Sequence, residues 1–204
     1  MPRPSNTEER RAEIVRGLAA VMAERGYEGA SIQRIARAAG LSPGLIHYHF
    51  GGKQEILMAL FDRVIGSARR RIDARMAKAE SPRGQLLAFL DALLATGDGA
   101  DLGATALWSL IGAEAVRQYE VRRAYEAFAQ ELKRTLVQLI KATCRDEGRS
   151  TRGASAMAAG LLATVEGFFA VSAAAPSIVP AGSAAPVTRR MAIGLIESQP
   201  ESKR

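Results

Sequence analysis

Two candidate helix-capping serines, Ser31 and Ser42, flank a glycine at Gly40, and no other feature of the chain constrains its folding as tightly. A serine hydroxyl satisfies an open N–H group in the first turn of a helix, and a glycine tolerates the positive φ that ends one. The stretch from Ser31 to Phe50 therefore holds two short helices joined by a tight turn, the first running through Ala38. Helices that meet so closely need a small residue at the crossing, which Ala36 supplies. They also need apolar residues to close the contact, and Ile35, Leu41 and Ile46 supply those. Pro43 falls at the first helical position, where its missing N–H costs nothing. The pattern is that of a helix-turn-helix, in which the second helix enters the DNA major groove and the first braces it against the backbone.

The rest of the chain is expected to be helical as well, giving an all-α protein. Aromatic residues make up only 5%, no run alternates apolar with polar, and Ala, Leu, Arg and Glu recur at spacings of three and four. A first helix opens on Ser5-Asn6-Thr7-Glu8, carries Ile14, Leu18, Val21 and Met22 on one face, and ends at Gly26. After Gly51-Gly52 a long helix runs from about Lys53 to Ala79, with Leu57, Phe61, Ile65, Ala68, Ile72 and Met76 as its stripe. Its length suits a connector, with residues 1–52 as one module, 53–204 as a second and 53–79 as the link. Ser81-Pro82 starts a helix to about Thr96, and Gly97-Asp98-Gly99 leads to another from about Leu102 to Ile111. The longest pattern covers about Val116 to Cys144, and Arg145 to Gly153 reads as a polar loop. Apolar helices from about Ala154 to Ala174 and Val187 to Glu197 follow, separated by a Pro-, Gly-, Ser- and Ala-rich loop, and the last few residues are expected to fray.

Charge narrows the function. The chain of 204 residues carries +7, and residues 1–80 hold 14 basic against 9 acidic side chains, so the excess lies where a polyanion would be met. One cysteine, Cys144, cannot close an intrachain disulfide, and two histidines with it cannot complete a four-ligand Cys/His zinc site. No metal or cofactor is expected. Arg3, Glu8, Glu9, Arg10, Arg11 and Glu13 interrupt any secretory apolar stretch, and Pro176, Pro180, Gly182 and Pro186 break the charge-free run from Gly167 to Thr188. The expectation is a cytoplasmic protein with no membrane partner. No catalytic constellation stands out, which disfavours an enzyme. A small-molecule carrier or enzyme on a helical bundle, and a DNA-binding protein without an effector, are the alternatives.

The run Gly40-Leu41-Ser42-Pro43-Gly44-Leu45-Ile46-His47-Tyr48-His49-Phe50-Gly51-Gly52-Lys53-Gln54-Glu55-Ile56-Leu57 resembles the signature of the TetR family of bacterial transcriptional regulators. The resemblance implies an N-terminal helix-turn-helix domain followed by a helical bundle for effector binding and dimerisation. It implies a ligand-responsive repressor, a homodimer on a palindromic double-stranded operator, released by a small-molecule effector. Ser42, Pro43, Gly44 and Leu45 would begin the recognition helix, with backbone N–H groups toward phosphate and side chains toward base edges. His47, Tyr48 and His49 would meet phosphates and the groove, and Lys53 a phosphate. Gln33 and Arg34 would add contacts from the second helix, and Thr7 and Arg10 from the first. His47 stands where the family usually has Tyr.

Within that family, Thr105-Ala106-Leu107-Trp108, Ala113-Glu114-Ala115 and Val165-Glu166-Gly167 resemble the C-terminal half of the choline-responsive repressors of betaine synthesis. Those proteins tend to carry a second aromatic just after the Trp, where this chain has Ile111 and Gly112. The candidate effector-pocket residues are Trp108, Tyr119, Tyr125, Phe128, Met157, Glu166 and Phe169, with ordinary core packing as the alternative for each aromatic. The helix from Ala154 is apolar nearly all round and must be covered on several sides. It is assigned, with Val187 to Glu197, to a subunit interface, the alternative being a central helix buried within one chain.

Overall fold

The two serines cap as their spacing requires. In the computed structural model, which describes residues 6–94 and 102–202, Ser31 Oγ accepts the Arg34 N–H and Ser42 Oγ the Leu45 N–H, each at 3.3 Å. Gly40 ends α2 at φ 69°, its N–H turned back to the last carbonyls. The head thus consists of α1 (Asn6–Arg25), α2 (Ile32–Ala39) and α3 (Pro43–His49). Ile35, Ala36, Ile46 and Phe50 are buried in its core. α1 meets α2 closely at Gly17, where an added Cβ would stand 2.8 Å from the Ile35 carbonyl oxygen and 3.1 Å from Ala39 Cβ.

One arginine ties the head to the next helix, α4 (Lys53–Met76). The Arg11 guanidinium lies over the Phe50 ring, 3.9 Å from its centroid, donates to the His49 carbonyl, and reaches Glu55 at 3.2 Å. Glu55 in turn accepts the Gly51 N–H at 2.7 Å, one residue ahead of the Gly52 N-cap, and so fastens the turn that enters α4. That N–H first, and Arg11 second, hold the Glu55 carboxyl below its ordinary range.

Behind the head come α5 (Pro82–Leu94), α6 (Leu102–Arg117), α7 (Tyr119–Asp146), α8 (Ala154–Ala174) and α9 (Ala184–Glu197), making nine helices and no strand among the described residues. α5 packs on α4, α7 and α9, α6 on α7 and α8, and α8 on α9. α1 does not stay within the head: it also packs against α4 and α6. One apolar core runs from Ile14 and Leu18 through Leu57 and Phe61 to Phe89 and Leu136. By length and composition α8 would suit a membrane span, yet here Met157, Ala158, Leu161 and Val165 are buried against the bundle.

Several boundaries depart from expectation. α6 continues to Arg117, and the break comes at Gln118, with no glycine or proline to mark it. Arg122 of α7 supplies the stop by donating to the carbonyls of Ala115 and Val116, which the end of α6 leaves open. α9 begins at Ala184, because Pro186 sits in the first turn, where a missing N–H is tolerated. The C-terminal stretch is tied rather than frayed up to Ser202: Arg149 donates to the carbonyls of Glu197 and Gln199, and Ser202 N–H donates to the Gly148 carbonyl at 2.8 Å. Arg83 of α5 forks onto both Glu147 oxygens, at 2.7 and 2.8 Å, and reaches Glu197 of α9 at 3.3 Å. The Ser5 cap and the Gly97-Asp98-Gly99 turn lie outside the described residues.

Candidate functional site

α2 and α3 contain no carboxylate, so the face they present is neutral to basic throughout. Gln33, Arg34, Ser42, Pro43, Gly44, His47 and Tyr48 are exposed on it, while Leu45 and His49 are half-buried. Tyr48 is 79% exposed and stands edge-on to His49, ring centroids 5.0 Å apart. Nothing lies within 4 Å of where a Gly44 Cβ would be, so the front of α3 is open to an incoming surface. Arg37, one turn beyond Gln33, shares the exposed side of α2 and was not singled out from the sequence.

The flanking candidates are more engaged. Thr7 is exposed, but Arg10 pairs with Glu13 on its own helix at 2.7 Å. Arg34 donates to the Gly29 carbonyl at 2.7 Å. Lys53 Nζ donates to the Tyr27 carbonyl at 3.0 Å and sits 4.0 Å from the centroid of the Tyr27 ring. An ammonium has three donors, so this contact leaves others for a phosphate.

A cavity of about 480 Å³ opens behind the head. α1 contributes Val15, Arg16 and Ala19, α4 Leu60, Arg63, Val64 and Arg70, α6 Trp108, α7 Phe128, and α8 Leu162, Glu166 and Phe169. Of the pocket candidates, Trp108, Phe128, Glu166 and Phe169 line it. Tyr125 stands directly behind, its ring 4.9 Å from that of Trp108. Phe61 and Phe128 complete the cluster, 6.0 and 5.8 Å from Trp108. Glu166 holds the floor in place: it accepts the Trp108 indole N–H at 2.9 Å and the Tyr125 hydroxyl at 2.8 Å. Burial foremost, and then the Glu166 charge, raise the Tyr125 hydroxyl well above its ordinary range, so it stays a donor.

Two candidates fall elsewhere. Tyr119 is 67% exposed at the start of α7, beside Arg123, and Met157 is buried on α8 more than two turns before Glu166. Tyr125 occupies the neighbourhood where a second aromatic after Trp108 was missing, since a Gly112 Cβ would lie 3.7 Å from its ring. Sequence reasoning missed Phe61 and the whole α1 wall. Phe61 was legible as a member of the α4 stripe, whereas nothing in the spacing of α1 announces that it faces a cavity.

Fold and site together define a helix-turn-helix protein whose head also walls a ligand-sized chamber. The family model for bacterial regulatory proteins of the tetR family matches residues 14–60, and that for the C-terminal part of BetI-type transcriptional repressors matches residues 82–196. The chain therefore belongs to the tetR family of bacterial regulatory proteins, on its BetI-type branch. It is a helix-turn-helix transcriptional regulator. It is 33% identical over 166 residues to the HTH-type transcriptional regulator BetI of Rhizobium meliloti, covering 79% of this chain and 80% of that one. In fold it is similar to a crystal structure described as a transcriptional regulator from Pseudomonas aeruginosa, with a TM-score of 0.82, 22% identity and 96% and 94% of the two chains covered. It is also similar to one from Saccharomonospora viridis solved in complex with choline, with a TM-score of 0.78, 22% identity and 96% and 100% covered.

Proposed function

We propose that the protein is a cytoplasmic homodimeric repressor that binds a palindromic operator through two heads and is released when a small molecule enters the cavity. The observation that carries this reading is the double role of α1, which packs on α2 and also lines the cavity through Val15, Arg16 and Ala19. An occupant that pushes on this wall changes the tilt of the head directly. Residues 1–52 form the DNA-binding unit and 53–204 the sensing and dimerising unit, with α4 shared between them. Gly44, Leu45 and the exposed residues of α2 read bases, while His47, Tyr48 and Lys53 hold phosphates. α8 and α9 form the dimer contact, supported by the exposed small and apolar residues Ala159, Gly160 and Ala163 on one and Met191, Gly194 and Leu195 on the other. The faces of Trp108 and Phe128 beside Glu166 suit an ammonium head, the chemistry of the choline found in the Saccharomonospora structure.

The test is binding to a palindromic fragment selected from random DNA, with half-sites about 34–36 Å apart. Affinity falls with salt at about 0.9 log units per phosphate neutralised, and Lys53→Ala flattens that slope by about one unit for every sequence alike. Gly44→Leu abolishes discrimination between the selected and a scrambled site while the helical content stays unchanged. Operator discrimination retained by Gly44→Leu would remove α3 from the groove.

A further inference from the structure

We propose that the effector is a zwitterion, with an ammonium group against Trp108 and Glu166 and an anionic group on an arginine rim formed by Arg16, Arg63 and Arg70. This rests on the cavity being the effector site. Glu166 is the one carboxylate among the described lining residues, and it lies at the aromatic floor. The three arginines are exposed side chains that line the same cavity from α1 and α4, which puts them at its mouth. None of the three has an ion pair or hydrogen bond among the described residues. Arg63 and Arg70 lie two turns apart on one face of α4, with Ser67 between them on the cavity side.

These arginines are poorly placed to serve DNA instead. Arg63 is about 15 Å along α4 from Lys53, and Arg70 about 25 Å, so both point at the chamber well behind the recognition face. A plain cation entering here meets these three guanidinium groups, and a fourth on Arg71 that is held on the Ala92 carbonyl, against one carboxylate. An anion alone would find the rim but leave Glu166 and the aromatic faces without a charge partner. A molecule with both charges satisfies each end, and apolar walls such as Val64 and Leu162 lie between them. The volume is also that of a drug-sized pocket, about 300–1,000 Å³, more than choline alone requires.

The experiment is titration of the full-length protein, followed by emission of Trp108, the only tryptophan in the chain. The probes are choline, glycine betaine, phosphocholine and inorganic phosphate at matched ionic strength. One or both zwitterions bind roughly tenfold or more tightly than choline, the advantage expected of charge-assisted hydrogen bonds. In the double variant Arg63→Gln, Arg70→Gln the ratio of zwitterion to choline affinity collapses to within about twofold, checked on protein with an unchanged thermal midpoint. Choline binding as tightly as both zwitterions to the unaltered protein overturns this proposal and leaves the cavity as the effector site. Phosphate displacing phosphocholine at equal concentration assigns the rim to a free anion and overturns it too. No response to any of the four removes both this inference and the effector reading beneath it.

Discussion

A methyl group on Gly17 would collide with the Ile35 carbonyl oxygen at 2.8 Å, and that oxygen is backbone, so it cannot rotate away. Gly17→Ala must therefore push α1 off α2. The expected cost is about 1–3 kcal/mol in urea unfolding, as for other overpacked contacts, with a loss of operator affinity because the brace of the recognition helix shifts. Gly44→Ala gives the opposite pair of results, unchanged stability with altered DNA binding, because nothing lies within 4 Å of the added carbon. Equal stability of the two variants would deny Gly17 its role. At the same scale Tyr125→Phe removes one of the two side-chain donors to Glu166. It should cost about 1.5–3 kcal/mol, the range for a hydrogen bond to a charged group, and shift Trp108 emission without ligand. Much at this scale was legible: Ser31, Gly40 and Ser42 carry their conformations in their chemistry. Gly17 was not, because a glycine inside a helix says nothing about what will press against it.

Helices were readable wherever a residue type dictates a start or stop, as at Pro43, Gly40 and Pro82. The junction of α6 and α7 shows the limit. Its stop is made by Arg122, a residue from the following helix, so no local signal marks Gln118 as the break. The clasp of Arg83 on Glu147 and Glu197 likewise joins α5, the end of α7 and α9 over long sequence distances. The Arg83 hydrogen bond is the main reason the Glu147 carboxyl sits below its ordinary range. A depressed carboxyl contributes stability above its unfolded value, about 4.3 for Glu, and loses it as pH falls through the lower folded value. Arg83→Met should therefore unfold more easily than the unaltered protein at pH 7, by about 1 kcal/mol for a partly exposed pair, and the gap should close below about pH 4. Urea midpoints between pH 3 and pH 8 measure it. A gap that persists at pH 3 would attribute the effect to lost packing of the arginine stem.

At the scale of the whole molecule, the proposed dimer contact is tested at the exposed small residues on α8 and α9. Gly160→Glu places a charge where nothing meets a side chain within one chain, so the fold itself should tolerate it. In a dimer contact the same carboxylate must be desolvated without a partner, at a cost of several kcal/mol. Light scattering should report a monomer, and operator affinity should fall because a lone head gains only one half-site. A folded Gly160→Glu variant that stays dimeric would move the interface elsewhere. The all-helical architecture was open to reading from periodicity alone. The cavity was not, since its walls come from six helices that only the tertiary path brings together. That α1 is one of those walls bears on how the protein behaves in a cell. Binding equilibria that share a moving part are reciprocal: whatever factor an effector takes from operator affinity, the operator takes from effector affinity. The metabolite level that triggers release is then no fixed property of the chain. It rises with the share of protein already seated on DNA, so the number of operators in a genome sets the threshold of the sensor.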